Sequence, residues 1–320
     1  MKQFEAGVVR EASAPSLERI AYNLTAPFRG YGMERIPGLR WLYRRAYGAM
    51  TPHGIHEIHL RNSRLVADFS DMSIVPSLRL TSKYEATYSD ALDCLVRPSQ
   101  TVIDVGAHIG YHAVRFAQNV GPDGRVVAYE PEELLSSLLR TNVVRNGVGG
   151  WTATERIAVG AANGRGQLWH NGDNSGGASL SADCVDGITG SEEVEIVTLD
   201  YHLSEELDLP GPIDLIKVDV QGYESRVIGG AAKILERDHP TIGFEYNPQQ
   251  LLDSGVEPST LLSWLSEADY VLHVANEYDH SVGVLGAAAI HDWCVGEKPD
   301  GSGGFVNIVA VHPSREIWCS

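Results

Sequence analysis

The sequence predicts an α/β protein with a doubly wound, mostly parallel sheet of seven strands and an N-terminal extension of helix and hairpin. From about residue 100, short apolar runs alternate with helical patterns, as in TVIDVG (101–106) followed by YHAVRFAQNV (111–120). The apolar runs contain almost no polar residues, which indicates strands buried on both faces, as in a parallel sheet covered by helices. In such sheets, ligands bind at the carboxyl ends of the strands.

Seven apolar runs are predicted to form the sheet. In chain order they are TVIDVG, RVVAYE (125–130), ATERIAVG (153–160), DLIKVDV (214–220), TIGFEYN (241–247), YVLHVAN (270–276) and FVNIVAV (305–311). The segment 160–191, between the third and fourth runs, is rich in Gly, Asn, Ser and Asp. It is interpreted as a long polar loop that hangs over the ligand site.

The chain is predicted to divide at residue 80, into an extension (1–80) and a sheet domain (81–320). In the extension, Ser16–Leu24 has a helical pattern and is interpreted as part of a cap. Two runs rich in β-branched residues, IHEIHL (55–60) and RLVADF (64–69), predict a small hairpin ahead of the sheet.

The net charge of the chain argues against nucleic acid and anionic membranes as partners. The 320 residues carry 25 Lys and Arg against 42 Asp and Glu, a net charge of −17. A nucleic-acid binder needs a basic surface that displaces counterions from phosphate, so neither nucleic acid nor an anionic membrane is an expected partner. We expect a small-molecule substrate, and the sequence leaves a homo-oligomer open.

The cysteines and the N-terminus predict a cytoplasmic protein. Cys94, Cys184, Cys294 and Cys319 are far apart and include no Cys-x-x-Cys pair. Such spacing is typical of reduced thiols rather than of a disulfide framework or a zinc site. The N-terminal segment has charges throughout and lacks the apolar core of a signal peptide.

The turn after the first strand has the chemistry of a cofactor cradle. It reads D-V-G-A-H-I-G at Asp104–Gly110. Gly106 permits a tight turn, and Ala107 and Gly110 permit the close approach of a ligand and of the next helix. That helix points its N-terminal dipole at an anionic group. The spacing differs from the G-x-G-x-x-G of dinucleotide-binding turns.

Glu130 is the second cofactor candidate. It ends the second strand, where a carboxylate can accept hydrogen bonds from both ribose hydroxyls of a nucleoside. Together Asp104 and Glu130 indicate a nucleoside cofactor, although the pair does not separate S-adenosylmethionine from NAD.

Five motifs follow one another in a specific order and spacing. They are D-V-G-A-H-I-G (104–110), A-Y-E-P (128–131), R-T-N-V-V-R-N-G (140–147), N-S-G-G-A-S-L (174–180) and I-K-V-D-V-Q-G-Y-E (216–224). Together they resemble the FkbM-type family of class I S-adenosylmethionine-dependent methyltransferases, over residues 80–312. The resemblance implies a Rossmann-like fold and, in most members, O-methylation of sugars, macrolides and other small natural products. His108 and Gln221 depart from the family, which usually has Asn and Glu at these positions.

The resemblance also implies contacts with the cofactor. Glu85 in K-Y-E-A-T-Y is expected at the methionine end, where a carboxylate pairs with the α-amino group. Asn142, Ala158 and Val159 match positions expected near the adenine. With the cradle, the expected cofactor-binding residues are Glu85, Asp104, Gly106, Ala107, His108, Gly110, Glu130, Asn142, Ala158, Val159 and Asp219.

The catalytic candidates lie at strand ends. Asp219 ends the fourth strand and Glu245 the fifth, so both are expected in the crevice. Asp219 is expected chiefly to hold the cationic cofactor. Glu245 is expected to accept the hydroxyl proton, with His108 as the next choice. Asp219, Glu245 and Asn247 resemble in position the oxygen ligands of magnesium-dependent methyltransferases, but no metal is assigned and activity is expected to survive chelation.

The residues and the resemblance together imply an S-adenosylmethionine-dependent O-methyltransferase. Its acceptor is expected to be a hydroxyl of a small polar natural product, such as a sugar or sugar-like ring. Two alternatives stay open: a NAD-dependent oxidoreductase or epimerase on a similar sheet, and a non-catalytic module that binds the cofactor. The missing G-x-G-x-x-G and Tyr-x-x-x-Lys patterns weigh against the oxidoreductase.

Overall fold

The computed structural model describes residues 51–172, 174–207, 209, 211–277, 280–296 and 304–315. The predicted helix Ser16–Leu24 lies outside the described residues. The predicted hairpin is present, with β1 (Ile55–His59) antiparallel to β2 (Arg64–Asp68). Leu65 and Val66 of β2 are buried in the same apolar cluster as the helices of the sheet domain, so the hairpin is part of the main core.

The remaining elements follow in chain order. The strands are β3 (Thr101–Val105), β4 (Arg125–Tyr129), β5 (Thr152–Glu155), β6 (Ala158–Val159), β7 (Gly164–Asn171), β8 (Asn174–Ser179), β9 (Gly190–Val197), β10 (Leu215–Val218), β11 (Thr241–Tyr246), β12 (Val271–Asn276), β13 (Ser281–Val284) and β14 (Val306–Val311). The helices are α1 (Val75–Thr81), α2 (Ala86–Leu95), α3 (Tyr111–Val120), α4 (Glu133–Arg145), α5 (Leu199–Tyr201), α6 (Glu224–Gly229), α7 (Ala232–Asp238), α8 (Pro248–Asp253), α9 (Pro258–Glu267) and α10 (Ala287–Val295).

The central sheet has eight strands, one more than predicted, in the order β13-β12-β14-β11-β10-β3-β4-β5. The five strands from β11 to β5 run parallel, and β14 enters antiparallel between β11 and β12. The additional strand is β13 at the edge, paired antiparallel with β12. Apart from this strand, the doubly wound, mostly parallel sheet is the predicted one.

Helices cover both faces of the sheet, as the apolar strands predict. Along β3, Val102 packs in the cluster that contains α2, α3 and α4, whereas Ile103 packs in the cluster that contains α6 to α10. All five residues of β3 are buried. Because successive strand residues point to opposite faces, burial on both sides requires an apolar run. Within the described part of the chain, no helix has the length and apolar character needed to cross a bilayer.

The segment after β5 corrects two predictions. The sequence predicts one strand over 153–160, but β5 ends at Glu155 and the chain leaves the central sheet before β6. The predicted loop 160–191 instead contains β7, β8 and the start of β9, which form a second sheet in the order β6-β9-β7-β8. Few of its side chains are buried, among them Leu168 and Val194. Its strands therefore lack the apolar run by which a strand is predicted, and backbone pairing defines them.

The cysteines differ from the prediction of reduced thiols. Cys94 is disulfide-bonded, whereas Cys184 and Cys294 are not part of a disulfide. The prediction is wrong for Cys94 because disulfide formation depends on which cysteines the fold brings together, and spacing along the chain does not report this. The cysteines therefore do not support the predicted cytoplasmic location.

Asn142 in α4 holds the hairpin in place. Its side-chain oxygen accepts the N–H of Val66 at 2.6 Å, and its amide nitrogen donates to the carbonyl oxygens of Val66 at 3.0 Å and Ile109 at 2.7 Å. Asn142 is fully buried and uses both amide donors in these bonds. The side chain is engaged with the edge of β2 and is absent from the cavity lining, which argues against its predicted place near the adenine.

Asn142→Ala is expected to lower the free energy of unfolding by about 3 kcal/mol, because three buried backbone groups lose their partner. Urea denaturation measures this loss. The matched control is Asn146→Ala, which removes similar bonds to the backbone of Arg64 at an exposed position. Water replaces those bonds, so the control is expected to cost less than about 1 kcal/mol. Equal losses in the two variants would contradict the anchoring role.

Candidate active site

A cavity opens at the carboxyl ends of β3, β4 and β10, where the fold class predicts a ligand site. It encloses about 960 Å³ when counted out to its open mouth. Its lining comes from the β3–α3 turn, the strand ends, strand β8 and the turn after β2. The hairpin, the central sheet and the second sheet therefore all contribute to it.

Gly106 shapes one wall of this cavity. Its φ is +75°, and a Cβ placed on it would lie 1.9 Å from the carbonyl oxygen of Asp219. The N–H groups of Gly106 and Ala107 donate to the carbonyl oxygen of Tyr129 at 3.0 and 2.9 Å, which ties the turn to β4. The position requires glycine both for the left-handed backbone and for the contact with the end of β10.

Glu130 lines the cavity at the end of β4. Its carboxylate accepts the N–H of His108 at 2.8 Å and the N–H of Glu132 at 3.0 Å, which hold it in one orientation. Burial raises the pKa of Glu130 to about 8. Each carboxylate oxygen has a further lone pair, so the group can also accept hydrogen bonds from ligand hydroxyls.

Lys217 is a site residue that the sequence analysis missed. It is buried and lines the cavity, and its ammonium group donates to the carbonyl oxygen of Gly106 at 3.0 Å. The same group lies 3.3 Å from Asp104 and 3.5 Å from Asp219. Burial lowers the pKa of Lys217, but the two carboxylates outweigh burial and the pKa is raised overall. A lysine inside an apolar strand, two residues before an acid, is a signal for such a pair, because a buried ammonium needs counter-charges.

Two further carboxyl groups interact with Asp219 from neighbouring elements. Burial and the charge of Asp219 raise the pKa of Glu85 to about 8 and raise the pKa of Glu245 well above its ordinary value. Both pKa shifts favour the protonated form of these groups in the free protein. Glu245 is also absent from the cavity lining. These properties argue against the prediction that Glu245 is the base, because a general base must be ionised and must face the acceptor.

The other predicted residues fall into two groups. Those that line the cavity are Ala107, His108, Ala158, Val159 and Asp219. Glu85, Asp104 and Gly110 are not part of the lining. Asp104 is fully buried beside Lys217, and a Cβ on Gly110 would lie 2.7 Å from the Leu139 side chain of α4. These two residues support the cradle through packing and charge.

The structure gives Asn247 a local role. Its side chain caps α8 by accepting the N–H of Gln250 at 3.3 Å. Across the described residues, no group of three or more His, Cys, Asp and Glu side chains is arranged to hold a metal ion.

Comparison with known protein families matches residues 104–272 to the methyltransferase FkbM domain. The match covers more than half of the 320 residues and contains the cradle, Glu130 and the end of β10. The chain belongs to the FkbM methyltransferase family. The resemblance seen in the five motifs is thereby confirmed, and the chain carries the domain of a family of S-adenosylmethionine-dependent methyltransferases.

Relatives of this FkbM-family chain are distant. A methyltransferase FkbM from Methylobacillus flagellatus KT aligns with a TM-score of 0.41 and 14% identity, over 75% of this chain and 53% of that one. An S-adenosylmethionine-dependent O-methyltransferase from Thermotoga maritima aligns with a TM-score of 0.36 and 11% identity, over 82% and 88%. A protein-L-isoaspartate O-methyltransferase from Methanopyrus kandleri is 43% identical over 51 residues, 16% of this chain and 23% of that protein. The chain thus spans about half of the first relative and less than a quarter of the third.

Gly106→Ala is expected to lower the free energy of unfolding by more than about 2 kcal/mol, because the methyl group adds a backbone collision to the left-handed strain. The matched control is Gly147→Ala, where φ is +71° and no atom lies within 4 Å of the new Cβ. This control carries only the conformational cost, about 1 kcal/mol. Urea denaturation of both variants separates the two contributions, and equal losses would show that the contact with Asp219 is unimportant.

Proposed function

We propose that this FkbM-family protein transfers a methyl group from S-adenosylmethionine to a hydroxyl of a small, neutral, polar molecule, such as a sugar or sugar-like ring. The observation that carries the proposal is the cavity, which joins a nucleoside-type cradle to a lining in which, among the described residues, the one lysine is paired with carboxylates. We also propose a cytoplasmic location for this reaction.

The residues of the cradle fit this cofactor. Gly106 lets the turn lie directly against the end of β10, and Glu130 offers a fixed carboxylate for the ribose hydroxyls. Asp219 and Glu85 are the acids that would balance the positive charge of the sulfonium and pair with the α-amino group. When bound, the cofactor supplies an electrophilic methyl group, and the protein supplies the position and protonation state of the groups around it.

The charge of the lining supports a neutral acceptor. Lys217 is the one lysine or arginine among the described lining residues, and Asp104 and Asp219 neutralise it. Burial lowers the pKa of His108 and of His112, so both rings are neutral at pH 7. A phosphate or carboxylate would find no free cation here. The hydroxyls of a polyol, in contrast, would meet serine and amide groups.

Glu130→Gln is expected to weaken the binding of S-adenosylhomocysteine by about 1.5–3 kcal/mol, because the neutral amide makes weaker bonds to the ribose hydroxyls. Hydroxyl donors favour the ionised carboxylate, and the pKa of Glu130 is raised to about 8 in the free protein. The affinity of the wild type should therefore rise as the pH rises toward 8 and level off above it, with a smaller rise in the variant.

Titration calorimetry between pH 6.5 and 8.5 measures both effects. The matched control is Glu133→Gln at the exposed start of α4, where the side chain is 78% exposed. Unchanged affinity in Glu130→Gln would remove the ribose role. Tighter binding of NAD than of S-adenosylhomocysteine would favour the oxidoreductase alternative.

The acceptor is expected in the neutral polar fraction of a metabolite extract from the source organism. Incubation of this extract with S-adenosylmethionine labelled in the methyl group should place the label in that fraction, as an O-methyl ether identified by mass spectrometry and NMR. The control is the same extract with Glu130→Gln enzyme at limiting cofactor. Label confined to anionic metabolites or macromolecules would contradict the neutral acceptor, and the absence of label from every fraction would contradict the transferase.

A further inference from the structure

A chain of hydrogen bonds leads from the cavity to a buried aspartate. The His108 ring lies in the β3–α3 turn, and its Nε2 is 2.7 Å from the hydroxyl of Ser175 in β8. The Ser175 hydroxyl is 3.3 Å from that of Ser73, which in turn donates to Asp71 at 2.5 Å. Both Ser73 and Asp71 lie in the turn after β2. The histidine and both serines line the cavity.

The direction of each hydrogen bond follows from the number of protons available. A carboxylate only accepts, so the single hydroxyl proton of Ser73 is directed at Asp71. Ser73 must then accept the proton of Ser175, and Ser175 must accept a proton from His108 Nε2. The chain therefore selects the neutral tautomer of His108 that carries its proton on Nε2 and a lone pair on Nδ1.

The far end of the chain is held rigidly. Asp71 is 8% exposed, and its second oxygen accepts the backbone N–H groups of Ser73 at 3.1 Å and Ser175 at 3.2 Å. One carboxylate thus ties the turn after β2 to strand β8.

The Nδ1 atom of His108 is buried and has no hydrogen-bond partner among the described residues. Burial lowers the pKa of the ring, Asp71 and Asp219 act to raise it, and Lys217 acts to lower it, so that the pKa lies below its ordinary value of 6.5. A neutral imidazole with a free lone pair, in the wall of the cavity, is available to take a proton from a ligand.

We propose that His108 is the general base of the methyl transfer and that Ser175, Ser73 and Asp71 form a relay that positions it. This inference rests on the proposed function of the cavity. As the acceptor oxygen forms its bond to the methyl carbon, the carbon–sulfur bond breaks and sulfur keeps the electron pair. Nδ1 takes the hydroxyl proton, so the positive charge passes from the sulfonium to the imidazolium. The relay stabilises this imidazolium through the negative charge of Asp71.

The relay also explains why the base is on this loop. His108 has a φ of +53°, a left-handed conformation that is uncommon for histidine. The same conformation directs its N–H to Glu130 while the ring meets Ser175. One residue therefore contacts both the predicted ribose carboxylate and the relay.

The tautomer is tested directly by NMR of the full-length protein with ¹⁵N-labelled histidine, with S-adenosylhomocysteine as the probe ligand. The His108 signals are those lost in His108→Asn, a substitution that tolerates the left-handed backbone. Nδ1 should show the shift of an unprotonated nitrogen and Nε2 that of a protonated one. Ser175→Ala should abolish this single tautomer. The matched control is Ser179→Ala. Ser179 is a second cavity serine of β8, and its hydroxyl donates to the carbonyl oxygen of Gln221 instead of taking part in the relay. A proton on Nδ1 in the wild type would overturn the relay.

The base is tested by initial rates with the acceptor fraction that labelling identifies. His108→Asn should lower kcat by about 10²–10⁴-fold while affinity for S-adenosylhomocysteine stays within about threefold. The wild-type rate should fall as the pH drops through the His108 pKa, below 6.5, and this limb should be absent in the variant. Asp71→Asn should move the limb to lower pH, because the charge that raises the His108 pKa is lost.

Asp68→Asn is the control for Asp71, since the side chain of Asp68 accepts the exposed N–H of Ser70 and takes no part in the relay. It should leave the pH profile unchanged. Retention of more than about a third of kcat in His108→Asn would overturn the base assignment. A wild type that labels nothing would instead defeat the proposed function, and the NMR result would still decide the relay.

Discussion

The junction between β3 and β10 is the constraint on which the site depends. Gly106 lies directly against the carbonyl oxygen of Asp219. Lys217 donates a hydrogen bond to the carbonyl oxygen of Gly106 and forms an ion pair with Asp104. A buried lysine without carboxylates, or a buried Asp104 without the lysine, would carry a large desolvation cost. The charges stabilise one another only in this arrangement. It places the cradle, the strand-end acid and the cavity wall in one packed unit.

The opposite side of the cavity is built differently. The hairpin is anchored by Asn142, and β8 belongs to a sheet with few buried side chains. Polar contacts between Ser73 and Ser175 join these two segments over the cradle. The cofactor end of the cavity is therefore embedded in the apolar core, whereas its other walls are held by hydrogen bonds. Such walls can differ in sequence without loss of the core.

The carboxyl groups around Asp219 link ligand charge to protons. In the free protein, burial raises the pKa values of Glu85 and Glu245, because the single positive charge of Lys217 does not balance every acid near it. A cationic ligand favours the ionised form of a neighbouring carboxyl group, so its binding should release protons. The carboxyl groups of the site therefore shift toward their ionised form when a cationic ligand binds. Without the ligand, the raised pKa values favour the neutral form, which is less costly to bury.

The sequence by itself determined the central sheet, the hairpin, the cradle and the family, because these depend on residues adjacent in the chain. Apolar runs report strands buried on both faces, and D-V-G-A-H-I-G reports a turn that needs Gly106. Only the tertiary structure decided which polar groups meet. His108 lies 67 positions from Ser175, and Lys217 lies 111 positions from Gly106. Burial and partners at such separations raise the pKa of Glu245, give Asn142 its anchoring role and form the strand at 174–179. No local sequence pattern reports these three features.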